Sequence, residues 1–173
     1  MKNIAPLGMT LALTGLLYGM STGIARADDD GSPCKDLPSY TRLQAALDAA
    51  QAFPGGNGGF GLNMWATVVN RDGIVCAVAF TGVNRGDQWP GSRVISAQKA
   101  NTANAFSLPA LALSTANLYS AVQPGGSLFG LQESNPVNTA VAYAGDPHQY
   151  GQASDPMVAG QLGSTNNEHV RAI

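Results

Sequence analysis

The stretch that most constrains this chain runs from Met64 to Thr81. Met64–Val69 and Ile74–Thr81 are runs of strand-forming residues joined by Asn70-Arg71-Asp72-Gly73. Gly73 can take positive φ without steric cost, and turn residues between two such runs are a hairpin signature. Strict alternation places Ile74, Cys76, Val78 and Phe80 on one face, and Val75, Ala77 and Ala79 on the other. Both faces are apolar, so each needs a covering layer, the large residues against one and the small residues close to another. The hairpin is therefore expected at the centre of a layered α+β domain.

The flanking segments supply helices for those layers. Leu43, Ala46, Leu47, Ala50 and Phe53 recur at helical spacing, which predicts a helix over about 39–53 with Ser39 or Thr41 as cap. Pro54-Gly55-Gly56 ends it. After the hairpin, 82–91 reads as a loop carrying Trp89, expected to roof the core, with contact to a flat ligand as the alternative. An alanine-rich helix is predicted over about 92–107 and a second over about 109–122, with Pro109 in its first turn. Further on, Val137, Thr139, Val141 and Tyr143 alternate, which predicts a short strand. The remainder reads as irregular.

The N-terminus carries Lys2, an apolar run from Ile4 to Met20, and then Ala25-Arg26-Ala27 before Asp28-Asp29-Asp30. That order predicts a signal peptide over 1–27 with cleavage after Ala27, and hence export to the periplasm or the extracellular space. Residues 28–173 read as a single domain with an N-terminal arm at 28–38 and an irregular tail at 146–173. An oxidising compartment permits one disulfide between Cys34 and Cys76 without requiring it; a buried thiol at Cys76 is the other reading.

Composition narrows the function. Without Lys2 and Arg26, seven basic residues face eleven acidic ones, and no basic patch suits nucleic acid or an anionic membrane. Two cysteines and two histidines, His148 and His169, exclude zinc and iron–sulfur spacings and a multi-histidine metal site. No G-x-S-x-G elbow is present. The cluster Gly55-Gly56-Asn57-Gly58-Gly59 follows a helix and lacks Gly-Lys-Ser/Thr, so it reads as a connector rather than a phosphate cradle. No paired carboxylates stand at a readable spacing for acid–base work, which favours a non-enzymatic role.

Two motifs carry a resemblance. Val68-Val69-Asn70-Arg71-Asp72-Gly73-Ile74-Val75 is similar to the V-V-D-x-x-G-x-x-V hairpin of the GlcG/HbpS-like family, a haem-degrading-domain type. Ser96-Ala97-Gln98-Lys99-Ala100-Asn101-Thr102-Ala103-Asn104-Ala105-Phe106 resembles the family's A-x-x-K-A-x-T-A-x-x-F helix. The resemblance covers roughly 39–145. Trp89-Pro90-Gly91-Ser92-Arg93, Pro124-Gly125-Gly126-Ser127-Leu128 and Ser134-Asn135-Pro136-Val137 look like an exported branch. The family's closing glycine-rich hairpin has no counterpart after Gly163, so its C-terminal strands are expected to be missing.

The resemblance implies a profilin-like antiparallel sheet with packed helices, binding of haem or a related tetrapyrrole, and homo-oligomers. Lys99 and Arg93 become the candidate cations for the propionates, and Thr102, three positions after Lys99, shares its helix face. The candidate axial ligands are His148, His169, a tyrosine or a methionine, with His148 put first; the plain reading of either histidine is a solvated side chain. Lys99 and Thr102 also have plain readings, a solvated helix lysine and a packing residue. Alternatives to tetrapyrrole binding are a haem-degrading enzyme and a structural or interaction domain.

Overall fold

The computed structural model describes residues 32–53, 55–56, 58–131 and 136–163. The leader and its cleavage site, Ser134-Asn135, and His169 lie outside the described residues. The fold is mixed helix and sheet. Helix α1 spans Tyr40–Gln51, strand β1 Trp65–Val69, strand β2 Val75–Phe80 and helix α2 Ser92–Phe106. β1 and β2 form a two-stranded antiparallel sheet, in register from Trp65 opposite Phe80 to Val69 opposite Val75.

The turn is built from its own side chains. Asn70 Oδ1 accepts from the backbone N–H groups of Asp72 and Ile74, and the Gly73 N–H donates to the Asn70 carbonyl, with Gly73 at φ 78°. The far end of α2 braces it: Asn104 Nδ2 donates to the Asn70 carbonyl and Arg71 donates to Asn104. A register irregularity between Val68 and Val69 breaks the expected alternation. Val75 and Val78, which strict alternation sets on opposite faces, both join the main core cluster. A bulge puts two residues of one strand against one of its partner, so the side-chain period slips.

α2 packs on β1 and α1 on β2. Thr67 Oγ1 and Ser96 Oγ share a hydrogen bond of 2.6 Å across the first contact, and Gln44 Nε2 donates to the Phe80 carbonyl at 2.9 Å across the second. Only Arg93, Val94 and Ala97 of α2 are buried, and no residue of α1 is. The inward stripe of α1 is half-buried Tyr40, Leu43, Gln44 and Leu47, whereas Ala46, Ala50 and Phe53 are exposed. Ser39 occupies the N-cap position without a side-chain cap bond. Cys34 and Cys76 are disulfide-bonded, with Cα atoms 5.5 Å apart. The bond ties the arm before α1 to β2, and Asn70 Nδ2 adds a hydrogen bond to the Pro33 carbonyl.

Two predicted elements are replaced. In place of a helix over 109–122, the chain turns at Leu108–Leu111, where each backbone N–H bonds the other residue's carbonyl, and Ser107 Oγ accepts from the Leu113 N–H. A Ser114/Asn117 capping box then starts a 3₁₀ turn at Thr115–Leu118, followed by one α-turn at Tyr119–Val122. In place of a strand over 137–143, Asn138 Oδ1 accepts from the Ala140 N–H and caps a helical turn at Thr139–Ala142. An Asx cap here outweighs the alternating pattern.

The segment from Asp146 to Gly163 is irregular in its hydrogen bonding, yet part of it belongs to the core. Met157 and Leu162 are buried with Trp65, Val75, Val78 and Val94. Its backbone straps the start of β2: the Val75 N–H donates to the Gly160 carbonyl, the Ala159 N–H to the Val75 carbonyl, and Ile74 bridges Gln161. The strap thereby pairs part of an otherwise open sheet edge.

Candidate functional site

The residues brought together around the start of α2 form a groove of about 640 Å³. That lies within the roughly 300–1,000 Å³ common for small-molecule sites. Its apolar walls are Leu62, Met64, Trp65, Trp89, Pro90 and Ile95. Its polar rim is Asn63, Asp87, Gln88, Ser92, Ser96 and Lys99. Three elements meet here: the chain entering β1, the 82–91 loop and the first turns of α2.

Local chemistry fixes the loop. Asp87 Oδ2 accepts from the backbone N–H groups of Val83 and Asn84 at 2.7 and 2.9 Å. The indole N–H of buried Trp65 donates to the Trp89 carbonyl at 3.1 Å. One tryptophan therefore anchors the loop from the core and the other projects from it. The expected role of Trp89 as a roof is overturned: its side chain is 79% exposed, because Trp65 with Phe80 already fills that part of the core. Leu62, Met64 and Ile95 of the walls are also exposed.

The candidate residues named from sequence separate. Lys99 lines the groove, is exposed, and makes no ion pair among the described residues. Thr102, half-buried on α2, does not line it. Arg93 is corrected from a propionate-binding cation to a core residue, with only 2% of its surface exposed. Its Nε donates to Asp155 Oδ2 at 2.8 Å, its Nη2 to Asp155 Oδ1 and its Nη1 to the Ala142 carbonyl at 2.6 Å. The guanidinium carbon lies over the Tyr150 ring, 3.7 Å from its centroid. A guanidinium so engaged has little left for a ligand acid. Position on the helix decides this, since Arg93 turns inward beside Val94 while Lys99 emerges on the groove side.

His148 sits in an exposed 3₁₀ turn at Pro147–Gln149 and lines neither this groove nor the smaller cavity of about 180 Å³ beside Arg85, Arg93 and Tyr143. Among the described residues, no group of three or more His, Cys, Asp or Glu side chains is placed to hold a metal ion. The side chains in the groove that could ligate iron are the Met64 thioether and the Asp87 carboxylate, and the latter is engaged by backbone donors. The groove thus combines apolar walls with one exposed cation, Lys99, and offers no histidine to a central iron.

Two participants carry no signal in the sequence. Asp155 has no motif beyond Asp155-Pro156, and its pairing with Arg93 spans 62 positions. Gln88 is buried beside an exposed tryptophan, and nothing in its neighbours distinguishes it from other loop amides. No family model, curated protein or solved structure matches the chain. No helix of the described residues is long and apolar enough to cross a membrane.

Proposed function

We propose that this protein is an exported, non-enzymatic binding protein for a flat apolar acid of the haem or tetrapyrrole type, held between Trp89 and α2 with its acid on Lys99. The observation that carries the reading is an exposed tryptophan that lines a groove of ligand size together with Ile95 and Lys99. Large exposed apolar surfaces in a concave site mark binding. The disulfide supports export, since such bonds persist in oxidising compartments. The family resemblance supports the tetrapyrrole class, and the helix–hairpin–helix order supports the profilin-like part of the reading. Membership of the GlcG/HbpS-like family and self-association belong to the same proposal.

When bound, haem would supply iron for oxygen or redox chemistry. What this chain supplies is apolar contact from Leu62, Trp89 and Ile95 and a cation at Lys99. Contact is worth about 25 cal/mol per Å² before binding costs, whereas an exposed ion pair contributes about 0–1 kcal/mol. Trp89→Ala should therefore weaken haem binding by tenfold or more, and Lys99→Ala by no more than about fivefold. Titration of the mature chain followed at the Soret band checks this. Absence of any spectral shift with haem and with a metal-free tetrapyrrole alike, or equal affinity in Trp89→Ala, would sink the reading.

A second reading is an interaction domain. It is favoured by Phe60 and Val83, which are 94% and 88% exposed and lie outside the groove walls. Analytical ultracentrifugation across concentration tests self-association, and Phe60→Ser with Val83→Ser should abolish it if that surface is used.

A further inference from the structure

Gln88 is buried, 8% exposed, in a loop whose neighbours are open to solvent, and it contributes to the groove wall. Its Nε2 donates to the Arg85 carbonyl at 3.3 Å, while its Oε1 has no hydrogen-bond partner. That one contact settles which amide atom is the oxygen, because a flip would set Oε1 against the Arg85 carbonyl oxygen. A buried acceptor left unmade is costly, and native proteins nearly always satisfy such atoms. The 3.3 Å bond is long, and the terminal torsion of glutamine is broad, so the acceptor can turn toward the groove at small cost.

Resting on the binding function proposed above, we infer that the groove's ligand carries an N–H or O–H donor that meets Gln88 Oε1, while its acid group lies toward Lys99. The two polar groups impose opposite demands. Lys99 has donors only and takes an anion; Gln88 Oε1 accepts only and takes a donor. A purely apolar acid satisfies the first and leaves the second orphaned. Haem is such a case at its centre, because all four ring nitrogens are bound to iron. An open-chain tetrapyrrole has pyrrole and lactam N–H groups as well as propionates, and satisfies both. Within the tetrapyrrole class, the groove therefore selects the metal-free, N–H-bearing form.

The test compares biliverdin with haem on the wild-type chain and on Gln88→Met, which keeps the side chain's length and removes the acceptor. Binding is followed by absorbance and by quenching of tryptophan fluorescence. The expected result is tighter binding of biliverdin than of haem to the wild type. Gln88→Met should weaken biliverdin by about two- to tenfold, as loss of one hydrogen bond does, and haem by clearly less. If Gln88→Met does not fold, Gln88→Asn, which withdraws the acceptor by one methylene, serves in its place. Haem bound as tightly as biliverdin, or an equal loss of both ligands in the variant, overturns the donor requirement while leaving tetrapyrrole binding standing. Failure of both ligands to bind the wild type removes the binding reading and the inference with it.

Discussion

Removing the charge from Asp155 should cost this protein a large part of its stability. The carboxylate is fully buried and takes four donors: the Nε and Nη2 of Arg93, the Gly151 N–H at 2.6 Å and the Met157 N–H at 2.8 Å. In Asp155→Asn the side chain keeps its shape but loses its charge, and its amide N–H₂ is turned against one set of donors. Arg93 is then a buried cation with the neutral amide oxygen, the Ala142 carbonyl and the Tyr150 ring, and no anion, to offset its lost hydration. Breaking a buried pair from one side costs about 3–5 kcal/mol, against a total of about 5–15 kcal/mol for a typical domain. At about 3–4 °C per kcal/mol for a chain of this size, the melting temperature should fall by about 10–20 °C. Arg93→Met should cost a similar amount. The double variant should cost little more than either single change, because each has already destroyed the pair, giving a coupling nearly as large as one single change, about 3 kcal/mol or more. Thermal unfolding followed by circular dichroism measures all three. A loss in Asp155→Asn of under about 0.5 kcal/mol, or full additivity in the double variant, would mean that the strap is not held through this pair.

Three further outcomes are expected. Reducing the Cys34–Cys76 bond, or replacing both residues by alanine, should lower stability by about 4 kcal/mol on the loop-entropy argument for a separation of 42 positions, read as the shift in urea midpoint with and without reductant. Gly151→Ala should destabilise by about 1–3 kcal/mol, because Gly151 sits at φ 76° and a methyl there would run into the Phe80 ring and come within 2.7 Å of Trp65; the near-ultraviolet circular dichroism of Trp65 should change with it. Burial, with Asp48 nearby as a lesser cause, raises the Tyr40 hydroxyl above its ordinary value near 10. Folding therefore favours the protonated phenol, and its contribution is complete below about pH 10 and is lost as pH climbs through the raised value. Tyr40→Phe should flatten that alkaline decline in a denaturation series from about pH 8 to 12.

The range of each interaction decides how much of this protein is legible in its sequence. The hairpin and the two long helices are legible because each is specified locally: Gly73 at the turn, Pro54 as a stop, and apolar spacing along α1 and α2. The helix expected at 109–122 and the strand expected at 137–143 are lost to single polar side chains, Ser107, Ser114 and Asn138, that offer the backbone a competing bond. These bonds leave hydrophobic spacing unchanged, so periodicity does not reveal them. The site divides along the same line. Lys99 lines the groove, and its solvent-facing position on a helix asks nothing of distant sequence. Arg93 occupies a motif position, yet its role depends on Asp155, Ala142 and Tyr150, the first of them 62 positions away and the second 49. Trp89 escapes local reading for a related reason. A lone loop tryptophan is expected to bury its ring, and only the structure shows that Trp65 already holds that place and uses its indole N–H to fix the Trp89 carbonyl. The displaced ring is the feature that turns a covering loop into a wall of the groove. A long-range packing choice invisible in the local sequence thus creates the surface on which the proposed function depends.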